Sequence, residues 1–224
     1  MAKISESQGR PDENSGYGRL FGNQQLGHLI SRVHAAVIRS GNELEKIIES
    51  ETPETIKVTL DVILESKVLF PSDIQVVFQA KMPGAAGKRG GTSDIAIFDH
   101  KNRRASVIEL KDGDTFDTKK SSGEFDSMTR FTAWIAQKTG YNATFYFCCF
   151  NQDDKEAIVR GAKGRFDVSN AMTGRELCTL LHIDYDELCQ KRKSQQSENL
   201  KYYLTELLKI NEVRQYIRDL LNRS

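Results

Sequence analysis

Residues 94–111 read DIAIFDHKNRRASVIELK, and this stretch decides the fold. Two short apolar segments, DIAIFD (94–99) and ASVIEL (105–110), flank the polar run HKNRR. Apolar and β-branched residues on both sides of a polar turn are typical of two neighbouring strands. The sequence therefore predicts a β-hairpin in which the start of the first strand lies beside the end of the second.

Three charged side chains should meet at the open end of this hairpin. Side chains two apart on a strand share a face, so Glu109 and Lys111 should project together while Leu110 faces the core. Asp94 opens the first strand and is brought next to Glu109. Like charges at close range raise each other's energy, and a divalent cation with a preference for oxygen ligands removes that conflict. The pattern favours a Mg²⁺ site made of Asp94 and Glu109, in which Lys111 orients or polarises an attacking water.

The segments on either side of the hairpin complete an alternation of helices and strands. Apolar spacing of three to four residues predicts helices, and β-branched and aromatic runs predict strands. Upstream, we expect a helix over 23–50 with a bend at Gly41, a second helix over 54–69, a strand over 74–80 and a glycine-rich basic loop over 81–93. Downstream, we expect a polar connection over 111–124, a helix over 124–139, a buried strand over 143–151 and mostly helix thereafter, at 174–181, 185–191 and 197–222.

This order predicts an α/β fold with a small mixed β-sheet flanked by helices and a helical C-terminal extension. We expect a flexible N-terminal arm over 1–17, a core over 18–151 and the extension over 152–224.

Ser93-Asp94 followed by Glu109-Leu110-Lys111 resembles the bipartite signature of the PD-(D/E)xK nuclease superfamily. The predicted order over about residues 23–151 is similar to the αβββαβ core of that superfamily, and the short length and preceding helix resemble type II restriction endonucleases. Serine replaces the family's proline at a position that serves the turn rather than the metal. The resemblance implies that the Asp and Glu hold the metal and that the Lys assists the water. It also implies a carboxylate from the preceding helix, for which we choose Glu45 and keep Glu43 as the alternative.

The function that the resemblance implies is that of a type II restriction endonuclease: Mg²⁺-dependent, sequence-specific hydrolysis of phosphodiester bonds in double-stranded DNA. It further implies a homodimer and a cognate DNA methyltransferase in the same system, without stable contact. A structure-specific repair or recombination nuclease of the same fold and a catalytically inactive DNA-binding module are the alternatives. The three charged residues could also be a solvated hairpin edge whose ion pair is worth only about 0–1 kcal/mol.

Several basic and hydroxyl residues are candidates for DNA contacts. Lysine and arginine neutralise phosphates, glycines let the backbone approach closely, and helix N-termini favour phosphate oxygens. The candidates are Lys81, Lys88 and Arg89 before the hairpin, Lys119, Lys120 and Ser121 after it, and Arg165 near the C-terminal third. The alternative interpretation is a flexible surface loop for the first group and a solvated charge run for the second, and Arg165 could reach guanine edges in the major groove. The acidic residues 112, 114 and 117 could contact cytosine, add a metal ligand or only solvate the loop.

The composition fits this interpretation without requiring it. The net charge is +1, and a chain that is neutral overall can still carry a basic cleft. No apolar run approaches the roughly 20 residues of a membrane helix, and the N-terminus lacks the pattern of a secretory signal, so we expect a cytoplasmic protein. The four histidines and four cysteines show no metal-ligand spacing, and we interpret the cysteines as reduced core residues.

Overall fold

The computed structural model describes residues 1–10, 16–65, 72–83, 91–113 and 118–223. The chain divides into two compact units. Unit 1 combines Met1–Leu44 with Asp186–Ser224, and unit 2 is Glu45–Tyr185. The acidic hairpin belongs to unit 2, together with the whole of the described sheet.

The helices and strands of the described residues alternate as follows. The helices are α1 (Gly16–Phe21), α2 (Gln24–Glu51), α3 (Leu60–Glu65), α4 (Thr118–Thr139), α5 (Lys155–Gly161), α6 (Gly174–Leu180), α7 (Tyr185–Lys193), α8 (Gln196–Lys209) and α9 (Asn211–Leu221). The strands are β1 (Ile74–Lys81), β2 (Thr92–Asp99), β3 (Arg104–Lys111), β4 (Asn142–Cys149) and β5 (Ala171–Thr173). Single turns of 3-10 helix span Ile4–Glu6, Glu54–Ile56 and Val168–Asn170.

The described strands of unit 2 form a five-stranded sheet in the order β1-β2-β3-β4-β5. The first three strands run antiparallel to one another, whereas β4 is parallel to β3 and β5 is parallel to β4. Two adjacent parallel strands need a crossover connection, and α4 lies between β3 and β4 in the chain. The structure thus confirms the hairpin and the small mixed sheet flanked by helices that the sequence predicts.

One face of the sheet packs against α4. Phe98, Val107 and Phe147 of three successive strands contact Phe131 and Ile135 of the helix, and none of these side chains is more than 2% exposed. Fully burying such side chains contributes about 1.5–3 kcal/mol each, so this layer holds the helix firmly on the sheet. The strand alternation that directs these residues toward α4 directs the charged residues of the hairpin to the same side.

Two predicted helices differ from the observed ones in their bounds. The segment 54–69 is not one helix, because Lys57 pairs with Val76 of β1 and the N–H of Val58 donates to the carbonyl of Val76 at 3.0 Å. The outer edge of β1 thus holds residues 57 and 58 in an extended conformation, and the next helix, α3, begins at Leu60. Residues 66–69 lie outside the described residues. Helix α4 begins at Thr118, six residues before the predicted start at Glu124. Gly123 disfavours a helix by only about 1 kcal/mol, which the packing of α4 offsets.

The C-terminal third contains a strand that the sequence prediction missed and a break that it did not expect. The three residues of β5 pair with residues 147–149 of β4, so their extended state depends on a distant segment. The predicted tail helix over 197–222 is two helices, α8 and α9. Ile210 separates them with ψ at 116° and is only 3% exposed, so burial of its side chain interrupts the helix.

The N-terminus packs within unit 1 over the residues that the structure describes. Ala2 and Ile4 are 2% and 8% exposed, and the guanidinium of Arg32 donates to the carbonyls of Ile4 and Ser7 at 3.1 and 3.0 Å. Ala2, Ile4 and Ser7 of the predicted arm are therefore packed within unit 1, whereas residues 11–15 lie outside the described residues. Across the described ranges, no helix is long and apolar enough to cross a membrane.

Candidate active site

The hairpin brings Asp94 and Glu109 to the same end of β2 and β3. The antiparallel register pairs Ile95 with Ile108, so the two acids occupy the next position in line. Oδ2 of Asp94 accepts a hydrogen bond of 2.7 Å from the backbone N–H of Leu110. Because the side chain of Leu110 is only 5% exposed, the acids stand at the edge of a packed layer rather than on a free hairpin.

Ser93 fixes the start of this arrangement at the position where the nuclease signature has proline. Its side chain is buried, and its hydroxyl lies 2.9 Å from the carbonyl oxygen of Ile95 and 3.0 Å from that of Ile108. The hydroxyl can donate to either carbonyl, and in both cases it ties β2 to β3 directly beside Asp94. The departure from proline therefore has a structural role of its own.

Lys111 lies between two carboxylates. Its Nζ is 2.6 Å from Oε1 of Glu109, two residues away on the same strand face, and 3.1 Å from Oε1 of Glu124 in α4. The side chains of all three residues are less than one-third exposed, so solvent screens these ion pairs only in part. The ammonium is consequently held in one place by the strand and by the helix that packs on it.

The charges of the site are strongly perturbed. Burial raises the pKa of Asp94 to about 6, against the lowering effect of the Leu110 N–H. Burial and the neighbouring Asp94 raise the pKa of Glu109 to about 7, against the lowering effect of Lys111. Burial alone would lower the pKa of Lys111, but Glu109 and Glu124 outweigh it and raise that pKa above its ordinary value. The site therefore carries more negative charge than its one ammonium neutralises.

The structure brings Glu45 of α2 to this group. The side-chain amide of Gln79 in β1 donates to Oε2 of Glu45 at 2.8 Å. Burial and the charge of Glu109 raise the pKa of Glu45, and Lys111 lowers it. The alternative, Glu43, has different partners: it forms ion pairs with Arg39 at 3.7 Å and with the N-terminal amine at 3.9 Å. The geometry therefore favours Glu45 over Glu43 as the additional carboxylate.

The donor set suits a hard divalent cation such as Mg²⁺. Asp94 and Glu109 offer only oxygen atoms as ligands, and burial raises the pKa of both carboxyls. Mg²⁺ usually takes one or two carboxylates from a protein and completes its shell with water and phosphate oxygens. Within the described ranges, no group of three or more His, Cys, Asp or Glu side chains is arranged to hold a metal ion, but a Mg²⁺ site of this kind needs only the acidic pair.

The residues predicted to contact DNA are only partly described. Lys81 ends β1 and is exposed, and Arg165 is exposed in the turn after α5. Lys119, Lys120 and Ser121 lie in the first turn of α4 rather than in the connection before a helix that the sequence predicts, and their side chains are outside the described part of the chain. Lys88 and Arg89 fall in the range 84–90, which lies outside the described residues.

Two residues of the site were missed by reasoning from sequence. Glu124 joins the site because α4 packs against β3, and Gln79 because β1 lies beside β2 in the sheet. Glu124 comes 13 residues after Lys111 across a polar segment, and neither the strand period nor the helix period predicts that residues at this spacing meet. Gln79 had a usable signal: it is a polar residue within the apolar run IQVVFQA, two residues before the end of the strand.

Comparison with known proteins finds one near full-length relative. The chain is 39% identical over 226 residues to the type II restriction enzyme HhaII of Haemophilus parahaemolyticus, and the alignment covers 97% of this chain and 99% of that protein. No family model matches the chain. The similarity thus spans both compact units and includes the hairpin and its surroundings.

Proposed function

The chain belongs to the type II restriction enzymes, and on that premise we propose that Asp94, Glu109 and Lys111 form the centre at which it cuts DNA. The protein is a site-specific endodeoxyribonuclease that hydrolyses phosphodiester bonds in double-stranded DNA. The observation that supports the proposed centre is the end of the hairpin, where two buried acids and one ammonium share a sheet face. The same arrangement supports membership of the PD-(D/E)xK superfamily.

Asp94 and Glu109 are the residues that we propose to hold Mg²⁺. When bound there, the ion supplies positive charge beside the phosphate that is cut. The hydrogen bond from the Leu110 N–H keeps the Asp94 carboxylate aimed along the edge of the sheet. Glu45, held by Gln79, is the additional carboxylate of the proposed site.

Lys111 acts in this proposal as a cation rather than as a base. Glu109 and Glu124 raise its pKa above the ordinary value of a lysine, which favours the protonated amine. A protonated amine donates hydrogen bonds, so it can orient the attacking water, and its charge favours the negative charge that builds on the phosphate in the transition state. Glu124 holds the ammonium from the helix side.

DNA and a second copy of the chain are the proposed partners. We propose phosphate contacts for the basic residues that precede and follow the hairpin in the chain, Lys81, Lys88, Arg89, Lys119 and Lys120. One chain carries one such centre, and cutting both strands of a symmetric sequence suits a two-fold dimer with one centre per strand. A DNA methyltransferase of matching specificity belongs to the same proposal, as does a cytoplasmic location, where the DNA substrate would be met.

Plasmid digestion tests the proposed centre. Purified protein with Mg²⁺ should give discrete fragments, and these should disappear with EDTA and with Asp94→Ala. Asp99→Ala is the matched control, because Asp99 lies on the same strand but at its other end, beside the hairpin turn. The proposed centre is wrong if D94A cuts like the wild type or if D99A loses activity to the same extent.

A further inference from the structure

Gln79 has a backbone conformation that its place in the fold does not require. Its φ is +50°, in the left-handed region that residues with a side chain rarely adopt. Among the described residues, the other non-glycine positions with positive φ are Arg103, Lys163 and His182, and all three lie in turns. Gln79 lies inside β1, where an extended backbone is the rule.

The sheet register gives no reason for this conformation. On one side of Gln79, Phe78 pairs with Ile95, and on the other side Ala80 pairs with Ser93. The strands stay in phase across the gap, so no extra residue is accommodated as it would be in a β-bulge. The position opposite Gln79 in this register is that of Asp94, so the strain falls directly beside the acidic pair.

The side chain shows what the conformation achieves. The Gln79 amide donates to Oε2 of Glu45 at 2.8 Å. Glu45 in turn lies close enough to Asp94 and Glu109 for the charges to affect one another. Strained backbone that persists beside a charged cluster is typical of residues that preorganise a site.

We propose that Gln79 is a positioning residue that holds the Glu45 carboxylate toward the Asp94–Glu109 pair, and that its left-handed backbone is retained for this purpose. The inference deepens the proposed active site and rests on it. Gln79 acts through Glu45 and does not touch the reacting atoms.

Gln79→Gly separates positioning from stability. Glycine adopts a φ of +50° readily, so this variant should unfold at the wild-type temperature or above it while it loses the amide. We expect kcat for plasmid cleavage to fall between about 10- and 100-fold, with KM nearly unchanged, because misplacement of a catalytic group acts on the chemical step. His182→Gly is the control: it relieves the same kind of backbone strain in an exposed turn, and its kcat should equal that of the wild type.

A double-mutant cycle with Glu45→Gln tests whether Gln79 acts through Glu45. In the E45Q background, Q79G should lower kcat by less than about twofold, because the carboxylate charge that the amide positions is already lost. Full additivity of the two losses, or a Q79G variant with wild-type kcat, overturns the inference while Asp94→Ala remains inactive. An active D94A variant instead overturns the proposed site, and the inference with it.

Discussion

At the scale of single residues, the site is a cluster of partly buried carboxylates around one ammonium. Two carboxylates stand side by side at strand ends, one ammonium faces them, and a third carboxylate arrives from a helix. Carboxylates that are withdrawn from water beside like charges destabilise a folded protein, and burial together with neighbouring carboxylates raises the pKa of Asp94 and of Glu109. The metal-free enzyme is thus less stable than the same fold would be with a neutral site.

Asp94→Asn should stabilise the metal-free protein at alkaline pH while abolishing cleavage. A carboxyl whose pKa is raised by folding contributes stability below its unfolded pKa, near 4, and loses it as the pH rises through about 6 for Asp94 and about 7 for Glu109. The asparagine oxygen can still accept from the Leu110 N–H, so only the charge is removed. We expect a gain on the order of 2 kcal/mol at pH 8, or roughly 5 °C in Tm.

Calorimetry in EDTA at pH 5 and pH 8 measures this effect. The wild-type Tm should fall more between the two values than the D94N Tm does, and the curves should converge at the acidic end. Adding 10 mM Mg²⁺ at pH 8 should raise the Tm of the wild type by a few degrees and leave that of D94N unchanged. Parallel pH curves for the two proteins would contradict the assigned charge coupling.

Glu124→Gln should slow cleavage without unfolding the protein. The ammonium of Lys111 would keep Glu109 but lose the opposite charge in α4, 3.1 Å away, and so would be less well fixed. We expect kcat to fall about tenfold with KM within a factor of two, because the loss concerns positioning in the transition state. Glu156→Gln serves as the control, since Glu156 is an exposed glutamate on α5 that pairs with Arg160 at 3.7 Å. Equal rates for E124Q and the wild type would exclude the proposed role of Glu124.

At the scale of elements, the sequence pattern predicted those helices and strands that depend on interactions between neighbouring residues in the chain. The hairpin follows from alternating apolar residues around a polar turn, and with it the meeting of Asp94, Glu109 and Lys111. The strand β5 could not be predicted, because its three residues are extended only by pairing with β4. Glu124 was missed for the same kind of reason: its role depends on how α4 packs on β3, which no period in the sequence encodes.

The glycines of two helices should respond in opposite directions to alanine. A Cβ at Gly41, inside α2, meets no other atom within 4 Å, so G41A should stabilise the protein by up to about 1 kcal/mol through helix propensity. A Cβ at Gly174, the first residue of α6, would lie 2.2 Å from the carbonyl oxygen of Phe150 and 2.9 Å from the ring of Tyr185. G174A should therefore cost about 2 kcal/mol or more, because backbone must move. Urea denaturation of both variants measures the two changes, and a neutral G174A would contradict the close approach.

At the scale of the whole molecule, the C-terminal helices expose an apolar stripe that suits a second copy of the chain. Leu200, Leu204 and Leu208 are spaced by four residues on α8 and are 60%, 46% and 46% exposed. Tyr216 and Leu220 of α9 are exposed as well, at 71% and 67%. Side chains four apart share one side of a helix, so the leucines form one continuous surface. For the dimer proposed above, we expect this exposed stripe to lie at the interface.

Sedimentation tests the interface directly. The wild type should sediment at twice the chain mass of 25.3 kDa, and Leu204→Lys combined with Leu208→Lys should sediment as a single chain. The monomeric variant should nick plasmid more than it linearises it, because the proposed centres of two chains no longer act together. Val168→Lys, at a site of similar exposure (44%), is the control and should stay dimeric. A monomeric wild type, or a dimeric leucine variant, would rule out this surface.

The turn of the hairpin lies at the opposite end of β2 from the proposed active site. Asp99 lies five residues after Asp94 on β2, which at about 3.4 Å per residue is a separation of roughly 17 Å. Lys101 stands in that turn and is exposed, while Cys148, Cys149 and Cys178 are buried and Cys189 is half-buried, so the labelled protein should also carry Cys189→Ser. A fluorophore attached to Lys101→Cys would therefore lie in the hairpin turn, away from the proposed active site. It would report the position of the enzyme on DNA while the residues of the proposed active site stay unchanged.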